Sequence, residues 1–312
     1  MSNMRINSYP SVCRLGHRMV QDILVGSVVV QEKVDGSQFS FTKLINGEMF
    51  YRSKGVEIFR DSCPALFKMA VETAYSLRFK LRPGWIYRSE AVTSPKHNAL
   101  KYNRIPNGGL ILYDVQFDDN ENYADPDELE IIGEELGLEV VPLFYRGANV
   151  TPDYLQQCLS FTSVLGGQTI EGVVIKNYSL FTPDKKVAMA KLVRPDFKEI
   201  NSKEWHKTNL PTKEFITGLS ESLCTQARWL KSVQHLKEAN LLTNTRKDIG
   251  LLIKETKEDI LKECTEDIKD NLFNHFINDI LRTSTKGLPE WYTASLDGEN
   301  SQRQNRQLPV GN

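Results

Sequence analysis

The 312-residue sequence contains no C-x-x-C pair and no cluster of cysteine with histidine. Its five cysteines, Cys13, Cys63, Cys158, Cys224 and Cys264, are scattered. That spacing argues against a zinc site or a disulfide framework and points to reduced thiols. The five histidines, His17, His97, His206, His235 and His275, show no metal-ligand spacing either. No run approaches the roughly 20 apolar residues that a membrane span needs. The first residues hold no apolar stretch long enough for a signal peptide, so a cytoplasmic protein is expected. Net charge is −1, which lacks the strong positive balance of a general nucleic-acid binder. No internal repeat is apparent.

What remains is an ordinary globular composition, 40% hydrophobic and 25% charged, on a chain long enough for one large domain and a smaller one. Charge is unevenly distributed. Between Lys185 and Lys207 seven basic residues face three acidic ones, a local excess of +4, and an acidic stretch from Asp118 to Glu135 balances it. Such a patch can hold phosphates, although many solvated faces look the same.

Apolar periodicity predicts a mixed α/β organisation up to about residue 200. Val28–Val30 leads into Gln31-Glu32-Lys33 as a strand, turns at Asp35-Gly36, and continues as a second strand over Ser37–Lys43, the two read as a hairpin. Asn46-Gly47 signals another hairpin before Met49–Arg52. Further strands are expected over Trp85–Glu90, Leu110–Gln116, Glu139–Leu143, Ile170–Lys176 and Val187–Val193. Helices are expected over Pro64–Phe79, Pro126–Leu136 and Pro152–Leu159, the last two with proline in the first turn. Dense strands and hairpins with few helices favour an antiparallel α+β domain. Beyond residue 200 strand patterns stop. Amphipathic helices follow at about Thr212–Glu238 and Asp248–Leu281, and the polar tail from Asp297 reads as disordered. The expected domains are therefore 1–205, a helical 206–296, and a tail 297–312.

Three segments could carry chemistry. Glu32-Lys33-Val34-Asp35-Gly36 ends an apolar strand. A lysine nucleophile must be partly neutral, which requires burial or nearby positive charge. The same residues also suit a plain surface hairpin turn. Glu171-Gly172-Val173-Val174-Ile175-Lys176 places a carboxylate and a lysine at the ends of an apolar strand. The glutamate could bind Mg²⁺ while the lysine reaches a phosphate, or both could be solvated strand ends. Lys191 interrupts Ala188–Arg194 and either faces a phosphate or snorkels outward.

The order K-x-D-G, then E-G-V-V-I-K about 140 residues later, then a lysine-bearing strand, resembles the covalent nucleotidyltransferases. The likeness is closest to the RNA ligase 2 family and covers about residues 25 to 200. It implies an antiparallel-sheet nucleotidyltransferase domain, of the ATP-grasp-like ligase kind, followed by a helical C-terminal domain. Residue by residue, Lys33 is similar to the family's adenylated lysine and Glu32 to the acidic residue before it, with Asp35 and Gly36 completing that motif. Arg52 resembles the arginine that contacts nucleotide and RNA phosphate, with Lys54 beside it. Glu90 resembles the ribose-binding glutamate and Tyr113 the aromatic residue stacked on adenine. Glu171 matches the metal and phosphate residue, with Lys176 at the end of its strand. Lys191 matches one of two late lysines, and Phe197-Lys198-Glu199 the sequence that often follows.

Two departures stand out. Met189 occupies the place of the first late lysine, leaving Lys176 or Lys186 to compensate, and Ser89 replaces the glycine usual before Glu90. The resemblance implies ATP and Mg²⁺ (or Mn²⁺) as cofactors and RNA as partner. It also implies no membrane association, a monomer, and sealing of RNA ends through lysyl-AMP. The helical domain would grip RNA. The 32 residues before Lys33 are too few for an N-terminal OB-fold, and the helical tail argues against a C-terminal one. The alternatives are a DNA ligase or GTP-dependent capping enzyme, and a catalytically inactive nucleotide- or RNA-binding relative.

Overall fold

The computed structural model describes residues 6–117, 121–197 and 211–305. Lys198, Lys203 and Lys207 of the basic stretch, Glu199, and the expected domain boundary at 205/206 lie outside the described residues. The chain divides into two compact units. One comprises Met1–Asn201 with Ser222–Asp259, the other Ser202–Glu221 with Ile260–Asn312.

The first unit contains eleven described strands: β1 (Val12–Arg14), β2 (Ser27–Lys33), β3 (Ser37–Lys43), β4 (Met49–Ser53), β5 (Glu57–Ile58), β6 (Ile86–Ala91), β7 (Leu110–Gln116), β8 (Glu139–Val140), β9 (Leu143–Ala148), β10 (Gly172–Phe181) and β11 (Val187–Val193). They form one sheet of order β1-β11-β10-β2-β9 and another of order β5-β4-β3-β6-β7-β8. Pairing is antiparallel except for β1 with β11 and β7 with β8. Helices α1 (Lys68–Ser76), α2 (Pro126–Leu136) and α3 (Pro152–Cys158) pack on the sheets. Both proline-led helices begin at side-chain caps, Asp125 for α2 and Thr151 for α3, as the proline positions predict.

Each sheet has its own core. Val28, Val30, Val173, Ile175, Ala188 and Ala190 line the outer face of the first sheet with Leu155 of α3. Phe39, Phe41, Tyr87, Leu110 and Leu112 line that of the second, with Phe67, Ala70 and Leu129 over them. Strand alternation puts Gln31, Lys33 and Lys176 on the other face of the first sheet, and Arg88, Glu90 and Asp114 on the other face of the second.

Several sequence expectations are corrected. β2 and β3 do not pair as a hairpin: β2 lies between β10 and β9, and β3 lies between β4 and β6. The Asp35-Gly36 turn instead carries the chain from one sheet to the other. The strand expected over Glu139–Leu143 breaks at Pro142, which has no N–H to donate; its carbonyl accepts from Glu32 N, and β9 begins in the opposite sheet.

The long helix expected to Glu238 is two helices, α4 (Thr212–Leu223) and α5 (Gln226–Glu238), because Thr225 caps the second through Arg228 N. α6 runs Ile249–Ser284. α7 (Leu288–Asn305) extends into the segment expected to be a disordered tail. α5 and the first turns of α6 belong to the same unit as the sheets, joined by the buried Arg228–Asp259 pair and Ser232–Thr256 (2.9 Å). In the second unit Phe215 of α4 stacks on His275 of α6, ring centroids 3.8 Å apart.

Candidate active site

Lys33 ends β2 and pairs in register with Gly172 of β10, the residue after Glu171. This register brings two residues 138 positions apart into contact: Lys33 Nζ lies 2.6 Å from Glu171 Oε2. Gly172 is required at the crossing, because a Cβ there would stand 2.3 Å from the Leu192 carbonyl oxygen of β11. On the face of β2 that carries Lys33 stands Gln31; the matching residues on β10 and β11 are Val174 and Lys191, and on β1 Arg14. Arg14 was not foreseen, since a three-residue strand paired in parallel with a distant one leaves no sequence pattern. Gln31 was foreseeable from the period of two alone. Its Oε1 is buried and has no hydrogen-bond partner among the described residues, although unsatisfied buried acceptors are rare and costly.

The second sheet supplies the opposite wall. Gly36 sits so close to β6 that an added Cβ would lie 2.7 Å from Glu90 Cγ and 2.8 Å from the Ala91 carbonyl oxygen. Glu90 thereby lies near enough for its charge to act on Lys33. The Ser89 departure is accommodated on the other face, where its hydroxyl donates to Phe39 O (2.8 Å).

Burial alone would push the Lys33 pKa down, but the negative charge of Glu171, with Glu90 and Asp35, outweighs it and lifts the pKa above its ordinary value. The amine is therefore held as an ammonium, not kept neutral as expected from sequence. Glu90 is pushed up to about 8: burial is the largest cause, Lys33 opposes it, and Glu238, Glu171 and Asp35 add to it. A carboxyl whose folded pKa is raised gives full stability below its unfolded pKa and loses it as pH rises through the folded value. Melting temperature should therefore fall more between about pH 4.5 and about pH 8 in the native chain than in Glu90→Gln, by roughly 5 °C. Equal slopes would show that Glu90 is not desolvated.

The remaining predicted residues divide into two groups. Asp35 acts as a turn anchor: Oδ2 accepts from Ala99 N (2.9 Å) and Leu100 N (2.7 Å), and its own N–H donates to Tyr102 OH (2.7 Å). Tyr113 is a bulge residue of β7, half-buried, its ring 5.5 Å from Lys176 Nζ.

Five other side chains lie elsewhere. Glu32 points to the opposite face of β2, where Ser163 Oγ (2.6 Å) and Val164 N (3.0 Å) donate to it. Lys176 is buried in an ion pair with Asp114 (2.8 Å) and also donates to Tyr113 O. Asp114 accepts further from Tyr9 OH and Tyr178 OH. The pair thus has the extra hydrogen bonds that a buried ion pair needs, and it links the two sheets. Arg52 donates to Ile6 O (2.8 Å). Lys186 bonds Ser8 O (3.1 Å) and Glu121 (3.2 Å). Lys54 lies beside Glu238 of α5.

Among the described residues no group of three or more His, Cys, Asp or Glu could hold a metal ion. Glu171 would therefore act as a single carboxylate ligand. That fits Mg²⁺ or Mn²⁺ shared with nucleotide phosphates, because such ions are commonly held by one or two carboxylates, water and substrate. No helix of the described residues is long and apolar enough to cross a membrane.

A model of the RNA ligase family matches residues 26–193. No curated protein matches. Among solved structures, Naegleria gruberi RNA ligase with pyrophosphate aligns at 17% identity and a TM-score of 0.46, covering 60% of this chain and 56% of that one. A lysine-to-alanine mutant of the same ligase with ATP and Mn aligns at 16% identity, TM-score 0.46, covering 60% and 56%. The chain thus spans a little over half the length of these solved proteins.

Proposed function

The chain belongs to the RNA ligase family, and from that membership we propose that it is an ATP-dependent ligase joining RNA 3′-hydroxyl and 5′-phosphate ends. The observation that carries the mechanism is the Lys33–Glu171 contact, with Glu90 of the second sheet near enough for its charge to act on the same amine. In the first step Lys33 Nζ attacks the α-phosphorus of ATP; the N–P bond forms, the bond to the β-phosphate oxygen breaks, and pyrophosphate leaves. The amine must first lose the proton that Glu171 favours. A divalent cation held by Glu171 would offset phosphate charge and draw the carboxylate from Lys33. AMP then passes from the amine to an RNA 5′-phosphate, and a 3′-hydroxyl attacks that phosphate and expels AMP.

Lys191 and Arg14, aligned on one face, meet the outer phosphates in place of the lysine that Met189 lacks. Met189 is fully buried, and Lys176 is committed to Asp114. Glu90 meets the ribose. Family structures solved with ATP and Mn fit this choice of nucleotide and metal. The chain would act as a cytoplasmic monomer in RNA repair, with helices of the second unit gripping RNA.

Incubation with labelled ATP or GTP, followed by nicked RNA or nicked DNA, tests the proposal. ATP should label the chain and RNA should be sealed. Labelling by GTP alone would indicate a capping enzyme, and sealing confined to DNA would indicate a DNA ligase.

A further inference from the structure

The turn that follows Lys33 is held from two sides. One is the segment Thr93–Tyr102. Asn98 Nδ2 donates to Gly36 O (2.7 Å), and Asp35 is bound by the Ala99 and Leu100 N–H groups. The other is α5, almost 200 residues away in sequence. Gln234 Nε2 donates to the same Gly36 O (2.8 Å) and to Glu238 Oε1 (2.9 Å), one helical turn on. Glu238 is buried, and Ser37 lies near enough to hold its carboxyl below where burial alone would push it.

A side-chain chain joins the two supports. His97 Nδ1 accepts from Thr93 N (3.2 Å), which fixes the proton on Nε2, and Nε2 donates to Ser37 Oγ (3.1 Å). Ser37 is thus held from the Thr93–Tyr102 side, and Gly36 is tied to α5 through Gln234.

We propose that Gln234 and Glu238 are positioning residues that fix the lysine-bearing turn, so that α5 serves the nucleotidyl-transfer step itself and not only the gripping of RNA. This rests on the ligase reading above. The turn must hold Lys33 in line with the α-phosphorus, and small displacements of a reacting group cost rate far more than they cost binding.

The full chain is compared with Gln234→Ala and Gln234→Lys by single-turnover formation of lysyl-AMP with ATP and Mn²⁺. Hydrogen exchange of the peptide covering residues 34–38 and the melting temperature are read alongside. Gln234→Ala should lower the rate at saturating ATP about tenfold with KM changed less than about twofold, and should speed exchange in that peptide. Gln234→Lys restores a donor for both acceptors and should recover most of the rate. If the native chain forms the adduct but Gln234→Ala matches it in rate and exchange, the positioning role is overturned. It is also overturned if Gln234→Lys is as slow as Gln234→Ala at an unchanged melting temperature. A folded native chain that forms no adduct overturns the ligase reading, and this inference with it.

Discussion

Lys33→Ala is expected to lower ATP-driven joining of RNA at least about 1,000-fold, because the group that receives AMP is gone and no neighbouring amine can replace it. Lys176 is locked to Asp114, and Lys191 stands on a strand one removed from β2. The loss should be confined to the steps that use the amine. RNA supplied with AMP already on its 5′-phosphate needs only the attack of a 3′-hydroxyl, so its sealing should fall far less, by about tenfold. Equal losses on both substrates would place Lys33 in binding or folding instead of in nucleophilic attack. Removing one partner of the ion pair also leaves Glu171 unpaired. Since the Glu171 side chain keeps only 11% of its exposure, leaving it unpaired should also cost stability, about 3 kcal/mol.

Glu171→Gln should reduce formation of the adduct about 100-fold at saturating ATP, the loss usual when one electrostatic stabiliser of a charged transition state is removed. Its pH dependence separates two roles. Burial acts to lower the Lys33 pKa, and Glu171 is the foremost influence raising it. Without that charge the amine gives up its proton at lower pH. The alkaline rise of the rate–pH profile, measured at fixed Mn²⁺, should therefore begin at lower pH in the variant even though its plateau is lower. The stability effect has the opposite sense. A lysine with a raised folded pKa contributes stability that is fully present below its unfolded pKa and lost as pH rises through the folded one. Through Lys33 the native chain gains on the variant at neutral pH, and burial of Glu171, which pushes its own pKa up, opposes that gain. A profile that keeps its position in Glu171→Gln would mean that the carboxylate does not govern the lysine proton.

Local pattern carried much of the fold. β3, β7 and β11 appear with the boundaries that alternation gave, and α2 begins and ends where its proline and apolar spacing placed it. Pairing was less legible. Asp35-Gly36 is a good hairpin signal, yet the turn is recruited by Ala99, Leu100 and Tyr102, and these contacts lie more than 60 residues away. At the site, Lys33, Glu90 and Glu171 carry motif signals; strand register brings Lys33 and Glu171 together, and the close packing of Gly36 on β6 brings Glu90 near them. Arg52 and Lys176 sit on the expected strands, but their charges are spent on Ile6 and Asp114, acceptors that no spacing along the chain reveals. Glu32 illustrates a rule that could have been applied in advance: adjacent residues of a strand face opposite ways, so Glu32 and Lys33 cannot both line one cleft. Gln31 follows from the same rule. Gln234 and Glu238 were invisible because only the folding of α5 onto the lysine turn gives them meaning.

The central claim is that the Lys33 amine, and no other group, becomes covalently bound to AMP. Incubating the native chain with ATP and Mn²⁺, then mapping the modified peptide by mass spectrometry, tests it directly. The account predicts a single AMP on the peptide containing Lys33, with release of one pyrophosphate. AMP attached to any other residue, or a folded chain that never acquires it, would contradict the account.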